Sequence, residues 1–321
     1  MSRKIVALAG GVGGAKLALG LSLVVPASDL TVIVNTADDF VHLGLHVAPD
    51  LDTVMYTLAG IANPATGWGQ AAETWEFMGA LGRLGAETWF QLGDRDLATH
   101  VERTRRMAAG ESLSQVTRYL ANALGIGVAL APMSDDPVRT FVETDEGVLA
   151  FQHYFVRRKC EPKLAAVRFD GSATARASPA ALSALADSDL SAIVICPSNP
   201  YVSVDPILAV ADLRAALAAR KVPLVAVSPI VGGRAIKGPA AKMMAELGIE
   251  QSVLGIARHY HGLIDGLVID RQDAASAADI TALGLAVHVA DTIMVDDESK
   301  RRLAGETLGF AARLRPGRRI D

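Results

Sequence analysis

Cysteine is scarce: the 321 residues include two, Cys160 and Cys196. Two thiols build no disulfide framework, which fits a reducing compartment, and no C-x-x-C pair suggests a zinc or redox motif. Cys196 ends an apolar run and reads as a small buried hydrophobe. Aromatics make up only 5% of the chain, and all three tryptophans (Trp68, Trp75, Trp89) crowd into positions 60–90. The net charge is a mild −4. It gives no field to draw in nucleic acid or an anionic membrane, and neither is expected as a partner. No segment reaches the ~18 uninterrupted apolar residues that a membrane helix needs. Arg3 and Lys4 before an apolar run mimic a signal peptide, but glycines and Lys16 interrupt that run. A cytoplasmic location is expected. No G-x-S-x-G elbow is present. His42 and His46 are four apart, but Gly44 and Pro49 argue for a loop there, and His259 and His261 share no helix face. A zinc site is not expected.

Half the residues are hydrophobic, ample for a large core. The first apolar run, from Ile5 to Ala9, ends in four glycines within five positions: Gly10, Gly11, Gly13 and Gly14. Leu17, Leu21 and Val24 then repeat at helical spacing. The pattern is strand, glycine turn, helix. Glycines permit φ > 0 and close backbone approach, and the helix start turns its N–H groups toward an anion. The spacing matches neither G-x-x-x-x-G-K-[ST] nor G-x-G-x-x-G, so a phosphate-binding turn of another type is expected.

A second buried strand, 30–34, ends at Asn35-Thr36-Ala37-Asp38-Asp39. Nicotinamide-binding folds place one acid at this strand end; Asn35 stands there instead. Pro49-Asp50-Leu51-Asp52-Thr53 opens a helix, and Asp50 or Asp52 suits its cap. Capping does not explain both, together with Asp38 and Asp39, within fifteen positions. Positions 53–125 read as a mostly helical insertion. It includes a helix near 73–84 and a short strand at 89–92 that runs into a charged loop, Asp94-Arg95-Asp96. Further strands are expected at 127–131, 192–196, 222–227, 266–269 and 286–289, with a hairpin at 138–151. Helices are expected at 208–219, 239–247 and 298–314. Arg157 and Arg158 follow a strand pattern and are open to an anionic substrate. Arg103, Arg105 and Arg106 read as a solvated helix face, and Arg313, Arg315, Arg318 and Arg319 as a solvated tail. The recurring strand–loop–helix order predicts an α/β fold with a doubly wound, mostly parallel sheet in one domain, 1–321.

The polar clusters fall at strand carboxyl ends: 10–14, 35–39, Asp94–Arg95, Ser134–Asp136, Ser198–Asn199 and 228–233. Ligands of open parallel sheets bind at that edge. Glycine and Ser/Asn clusters suit phosphate, and the others are carboxylates. Phosphates beside carboxylates call for a cation, commonly Mg²⁺. A nucleotide substrate and phosphoryl transfer are the chemistry this predicts.

Seven motifs in order (the glycine-rich start, Asn35–Asp39, Pro49–Thr53, Leu92–Asp96, Pro132–Val138, Pro197–Pro200 and Ser228–Gly233) resemble the 2-phospho-L-lactate transferase family of coenzyme F-420 biosynthesis. The resemblance runs from about residue 4 to residue 297. It implies a Rossmann-like fold with an inserted helical part, a homodimer, and a Mg²⁺-dependent reaction. In that reaction a guanosine diphosphate ester of a small phospho-acid donates to a hydroxyl of the deazaflavin Fo, and GMP leaves. By motif, Asp52 contacts Fo and Mg²⁺, with Asp50 beside it. Arg95 neutralises transition-state charge. Gly11, Val12, Gly13, Gly14 and Lys16 hold the diphosphate. Ser198, Asn199, Gly232 and Gly233 bind the nucleotide. Asn35, Asp38, Asp39, Gln91, Asp94, Ser134, Asp135 and Asp136 complete the expected substrate contacts. Gln91 departs from the basic residue of archaeal members, which leaves the donor acid open among phosphoenolpyruvate, 2-phospholactate and 3-phosphoglycerate. Proteins resembling this family also serve as nucleotide-sugar-binding regulators. The Asp50/Asp52 pair, the Ser134–Asp136 motif and the tryptophan-rich insertion favour the enzyme. A nicotinamide oxidoreductase is disfavoured by Asn35 and the glycine spacing.

Overall fold

A computed structural model describes residues 3–235 and 240–315. The expected helix start at Pro239 and the tail residues Arg318 and Arg319 lie outside them. Seven strands form one parallel sheet: β1 (Lys4–Ala9), β2 (Leu30–Val34), β3 (Ala129–Pro132), β4 (Leu190–Ile195), β5 (Leu224–Val227), β6 (Gly266–Asp270) and β7 (Ala286–Ala290). Their order across the sheet is β7-β6-β5-β4-β1-β2-β3, and every pairing is parallel. The order reverses between β1 and β4. A crevice opens at such a switch point, beyond the strand carboxyl ends, because the two flanking connections leave toward opposite faces.

β1 shows why the sheet is central. Val6 and Leu8 point into one core, and Ile5, Ala7 and Ala9 into the other. Parallel strands covered on both faces read as continuous apolar runs rather than alternating ones, and β1, β2 and β4 do. Helix α1 (Gly11–Ser22) packs beside α2 (Pro49–Leu58) and the last helix, Asp297–Ala311. Three further helices follow: α3 (Glu76–Arg83), α4 (Asp94–Ala108) and α5 (Leu113–Ala123).

Several elements differ from the sequence reading. No strand forms at 89–92. Trp89 and Phe90 pack with Phe40 and His42 in an aromatic cluster, so their bulk signals packing rather than strand pairing. His42 and His46 lie in a hairpin, Phe40–His42 with Leu45–Val47. Leu43 and Gly44, both at positive φ, supply the tight two-residue turn. The expected hairpin forms from Arg139–Thr144 and Gly147–Ala150, and a third strand, Leu164–Asp170, joins it. The chain then turns helical, with a π turn at His153–Arg157, so Arg157 and Arg158 do not follow a strand. Arg157 pairs with Glu87, and Arg158 with Glu146. Arg103 is not on a solvated face; it is almost wholly buried. Among the described residues no helix is long and apolar enough to cross a membrane.

Candidate active site

A cavity of about 600 Å³ sits at the switch point. Its floor is the turn from β1 into α1 and the loop after β4. The glycines there serve close approach. A Cβ on Gly10 would strike the Asp50 carboxylate and Ser203, one on Gly13 would strike the Pro197 carbonyl, and one on Gly14 would strike Ser198 Oγ. Gly11 has φ +60°, which a side chain would strain. Helix α1 therefore begins at the glycines, not after them. Gly10 N–H donates to Ser198 Oγ at 3.0 Å.

Asp50 and Asp52 both lie in the first turn of α2, and both line the cavity. Neither caps that helix: its N-cap is Ala48, without a side-chain bond. Asp50 instead reaches across to α1, where Oδ1 accepts from Gly11 N–H at 2.8 Å and Oδ2 from Asn35 Nδ2 at 2.9 Å. Burial pushes its carboxyl up to about 6, against the pull of these hydrogen bonds. Asp38 also lines the cavity. Burial and then the Asp50 charge push its carboxyl well above the ordinary range, and its Oδ1 has no hydrogen-bond partner.

Asp52 is held differently. Both its oxygens accept from the Arg103 guanidinium of α4, Oδ2 at 3.0 Å from Nη1 and Oδ1 from Nη2. Asp96, His100 and Arg103 recur at i, i+4 and i+7 on α4, so one helix face carries all three. Tyr56 OH donates to Asp96 Oδ1 at 2.6 Å. Burial works against the Asp96 charge, but His100, Tyr56 and Arg103 outweigh it and hold the carboxyl below its usual range. His100 Nε2 lies 3.3 Å from Asp96 Oδ1 without the alignment of a hydrogen bond.

Two sets of residues have metal-ligand chemistry. Asp52, Asp96 and His100 are buried, with ligand atoms within 4.8 Å of one another. This trio offers an imidazole nitrogen, which suits transition metals, and its Asp52 is taken up by Arg103. Asp38 and Asp50 offer oxygen alone, on the cavity wall, with an unpartnered oxygen on Asp38 and with both carboxyls raised chiefly by burial. That oxygen set fits Mg²⁺, which takes carboxylates and keeps several waters.

The rest of the wall is largely apolar. It includes Trp68, Phe90, Phe151, Phe155, Ile293 and Val295. Phe151 stacks on Phe155, ring planes 5° apart. Lys16 lines the cavity and donates to the Met294 carbonyl at 2.8 Å.

The family model for 2-phospho-L-lactate transferase CofD matches residues 5–305. The chain belongs to this family. The transferase is 44% identical to a phosphoenolpyruvate transferase of Kitasatospora aureofaciens over 321 residues, covering 98% of this chain and 99% of that one. It is 42% identical to a phosphoenolpyruvate transferase of Streptomyces griseus, over 97% and 99% of the two chains. A 2-phospho-L-lactate transferase of Methanosarcina acetivorans is 38% identical, over 95% and 98%. Among solved structures, a UPF0052 family member from Bacillus halodurans superposes with TM-score 0.61 at 14% identity, covering 96% of this chain and 99% of that one. That likeness speaks to the fold.

Of the residues expected from the transferase motifs, Gly11, Val12, Gly13, Lys16, Asp38, Asp50, Asp52, Gln91, Ser198 and Asn199 meet in the cavity wall. Gly14 and Asn35 lie just behind it, against Ser198 and Asp50. Asp39 is buried against His46, 3.0 Å from its Nε2. The others lie outside the wall. Asp94 and Arg95 are not at a strand end but in the first turn of α4. The Asp94 carboxylate accepts from Thr74 Oγ1 and the backbone N–H of Glu76 and Phe77, and so caps α3. Glu73 returns the arrangement by accepting from the N–H of Arg95 and Asp96. The Arg95 guanidinium bonds the Ala71 carbonyl. Asp135 accepts from Ser114 N–H at the start of α5. Ser134 and Asp136 bond the Arg176 backbone. Gly232 and Gly233 form the turn of a small hairpin, both at positive φ. His100 lines the cavity and Arg103 bonds Asp52 from outside the wall, and neither was among the residues expected at the site.

Proposed function

We propose that this transferase moves a phospho-acid group from its guanosine diphosphate ester to the ribityl hydroxyl of Fo. The phosphoenolpyruvyl group is the favoured donor over 2-phospholactyl and 3-phosphoglyceryl, in keeping with the names of the 42–44% identical relatives. The hydroxyl oxygen bonds to the phosphorus that carries the acid, the bond from that phosphorus to the GMP oxygen breaks, and GMP leaves. The product is a phosphodiester, an F-420-0 analogue. The carrying observation is the single cavity. It joins a helix N-terminus, a row of carboxylates and an aromatic wall in one space.

The N–H groups of Val12 and Gly13 at the start of α1 receive the diphosphate, with Lys16 beside them. Ser198 and Asn199 line the same end. Asp38 and Asp50 would hold Mg²⁺, and the ion would supply neutralisation of phosphate charge. Asp52, fixed by Arg103, accepts the hydrogen bond of the attacking hydroxyl and takes its proton as the new bond forms. Phosphoryl transfer depends on alignment more than on a strong base, so a rigidly held carboxylate suffices. The aromatic wall of Phe90, Phe155 and Trp68 receives the deazaflavin ring, and Gln91 sits close enough to sort the donor acids. The same reading places the enzyme in the cytoplasm as a homodimer.

Incubation with Fo, GTP, a guanylyltransferase and each phospho-acid, with product mass as readout, tests the proposal. The largest yield is expected with phosphoenolpyruvate. No deazaflavin product with any donor, together with tight binding of a UDP-sugar, would favour a regulator instead.

A further inference from the structure

Arg103 is nearly inaccessible, and it does not line the cavity. Its planar fork nevertheless engages three groups around the Asp52–Asp96–His100 trio. Both oxygens of Asp52 accept from it. Its Nη1 also lies 3.3 Å from His100 Nδ1 and 3.4 Å from the His46 carbonyl. Guanidinium nitrogens only donate, so His100 Nδ1 must accept. The neutral imidazole then carries its proton on Nε2, the nitrogen that faces Asp96. A protonated Nε2 cannot ligate a metal, and Nδ1 is already engaged. One side chain thus disables two of the three ligands that otherwise have metal-binding spacing.

We infer that Arg103 is a positioning residue that keeps metal off the Asp52–Asp96–His100 trio. It fixes Asp52 as a hydrogen-bond acceptor and leaves Asp38 and Asp50 as the ligands of the divalent cation. The second clause rests on the function proposed above; the first concerns metal binding alone. Without Arg103 the trio is a soft-leaning site, two carboxylates and an imidazole, of the kind that takes Co²⁺ or Zn²⁺.

The test is metal binding on the full chain without substrate. Mn²⁺ is titrated by electron paramagnetic resonance, and Co²⁺ by its visible d–d bands. The wild type is expected to bind one Mn²⁺, weakened at least tenfold by Asp38→Asn and unchanged by His100→Gln. Arg103→Met is expected to bind a second ion, with intensified Co²⁺ bands that vanish when His100→Gln is added. Arg103→Lys, which keeps a charge but loses the fork, is expected to show the new bands more weakly. A wild-type Co²⁺ spectrum abolished by His100→Gln would overturn the inference, and that arm needs no Arg103 variant to fold. So would Arg103→Met or Arg103→Lys with wild-type stoichiometry and spectrum. Should Fo transfer fail while this pattern holds, the function falls and the role of Arg103 stands.

Discussion

Two pairs of carboxylates share one cavity and are treated in opposite ways. Asp38 and Asp50 come from the sheet edge and the start of α2. Both lie buried, no hydrogen bond or ion pair to a cationic side chain is seen for either among the described residues, and their carboxyls are pushed up. Asp52 and Asp96 meet across α2 and α4, where Arg103, His100 and Tyr56 supply partners, and Asp96 is held down. The first pair carries a cost on its own, since desolvated like charges repel. The second has that cost offset by the fold. That contrast is the observation behind the metal role proposed for the first pair.

Breaking the first pair has the largest expected effect on function. Asp50→Asn should lower transfer roughly 10³-fold, the loss expected when several kcal/mol of metal-linked stabilisation go. Circular dichroism should be unchanged. An Asp50→Asn enzyme at wild-type rate would remove the metal role. Breaking the second pair shows first in stability. Asp52→Ala strands the buried Arg103 and should cost about 3–5 kcal/mol in urea denaturation. Asp52→Leu combined with Arg103→Met should recover most of that, while transfer stays lost.

The pairs also part in their pH dependence. A folded carboxyl raised above its unfolded value binds protons that the unfolded chain has released. Asp50 therefore subtracts stability as pH rises from about 4 through its folded value of about 6. Asp96 has the opposite sign: its contribution is present above the unfolded value and fades as pH falls through the depressed folded one. Asp38→Asn should accordingly raise the melting temperature at pH 8 by about 2–4 °C, the shift for roughly 1 kcal/mol. The gain should shrink in acid, as Asp38 and Asp50 protonate. A gain equal at pH 8 and pH 5 would contradict the repulsion. The smallest effect belongs to a residue outside both pairs. Asp94→Asn should lower the urea midpoint slightly and leave transfer at the wild-type rate, because its carboxylate caps α3.

The sheet and the first site elements were legible because apolar runs, glycine punctuation and strand-end polarity follow directly from backbone chemistry. β1 and α2 stood where the pattern put them, whereas the first helix starts at the glycines themselves. Arg103 and His100 were not legible because α4 buries charge. Its inward positions, Asp96, His100 and Arg103, read as a solvated stripe to any rule that equates polar with exposed. Their i, i+4, i+7 spacing, matched by Asp52 and Tyr56 at i, i+4 on α2, was the signal available. The cap that Asp94 makes on α3 was not legible for a related reason: the N–H groups it accepts from, those of Glu76 and Phe77, lie 18 and 17 positions away.

That exchange of caps couples the opening of two helices. The first turn of α3 is tied to Asp94 of α4, and the first turn of α4 to Glu73 just before α3. Neither first turn can fray alone without giving up the other's hydrogen bonds. In amide exchange, the N–H groups of Glu76, Phe77, Arg95 and Asp96 should therefore lose protection in one shared event, as a single cooperative unit at the edge of the cavity.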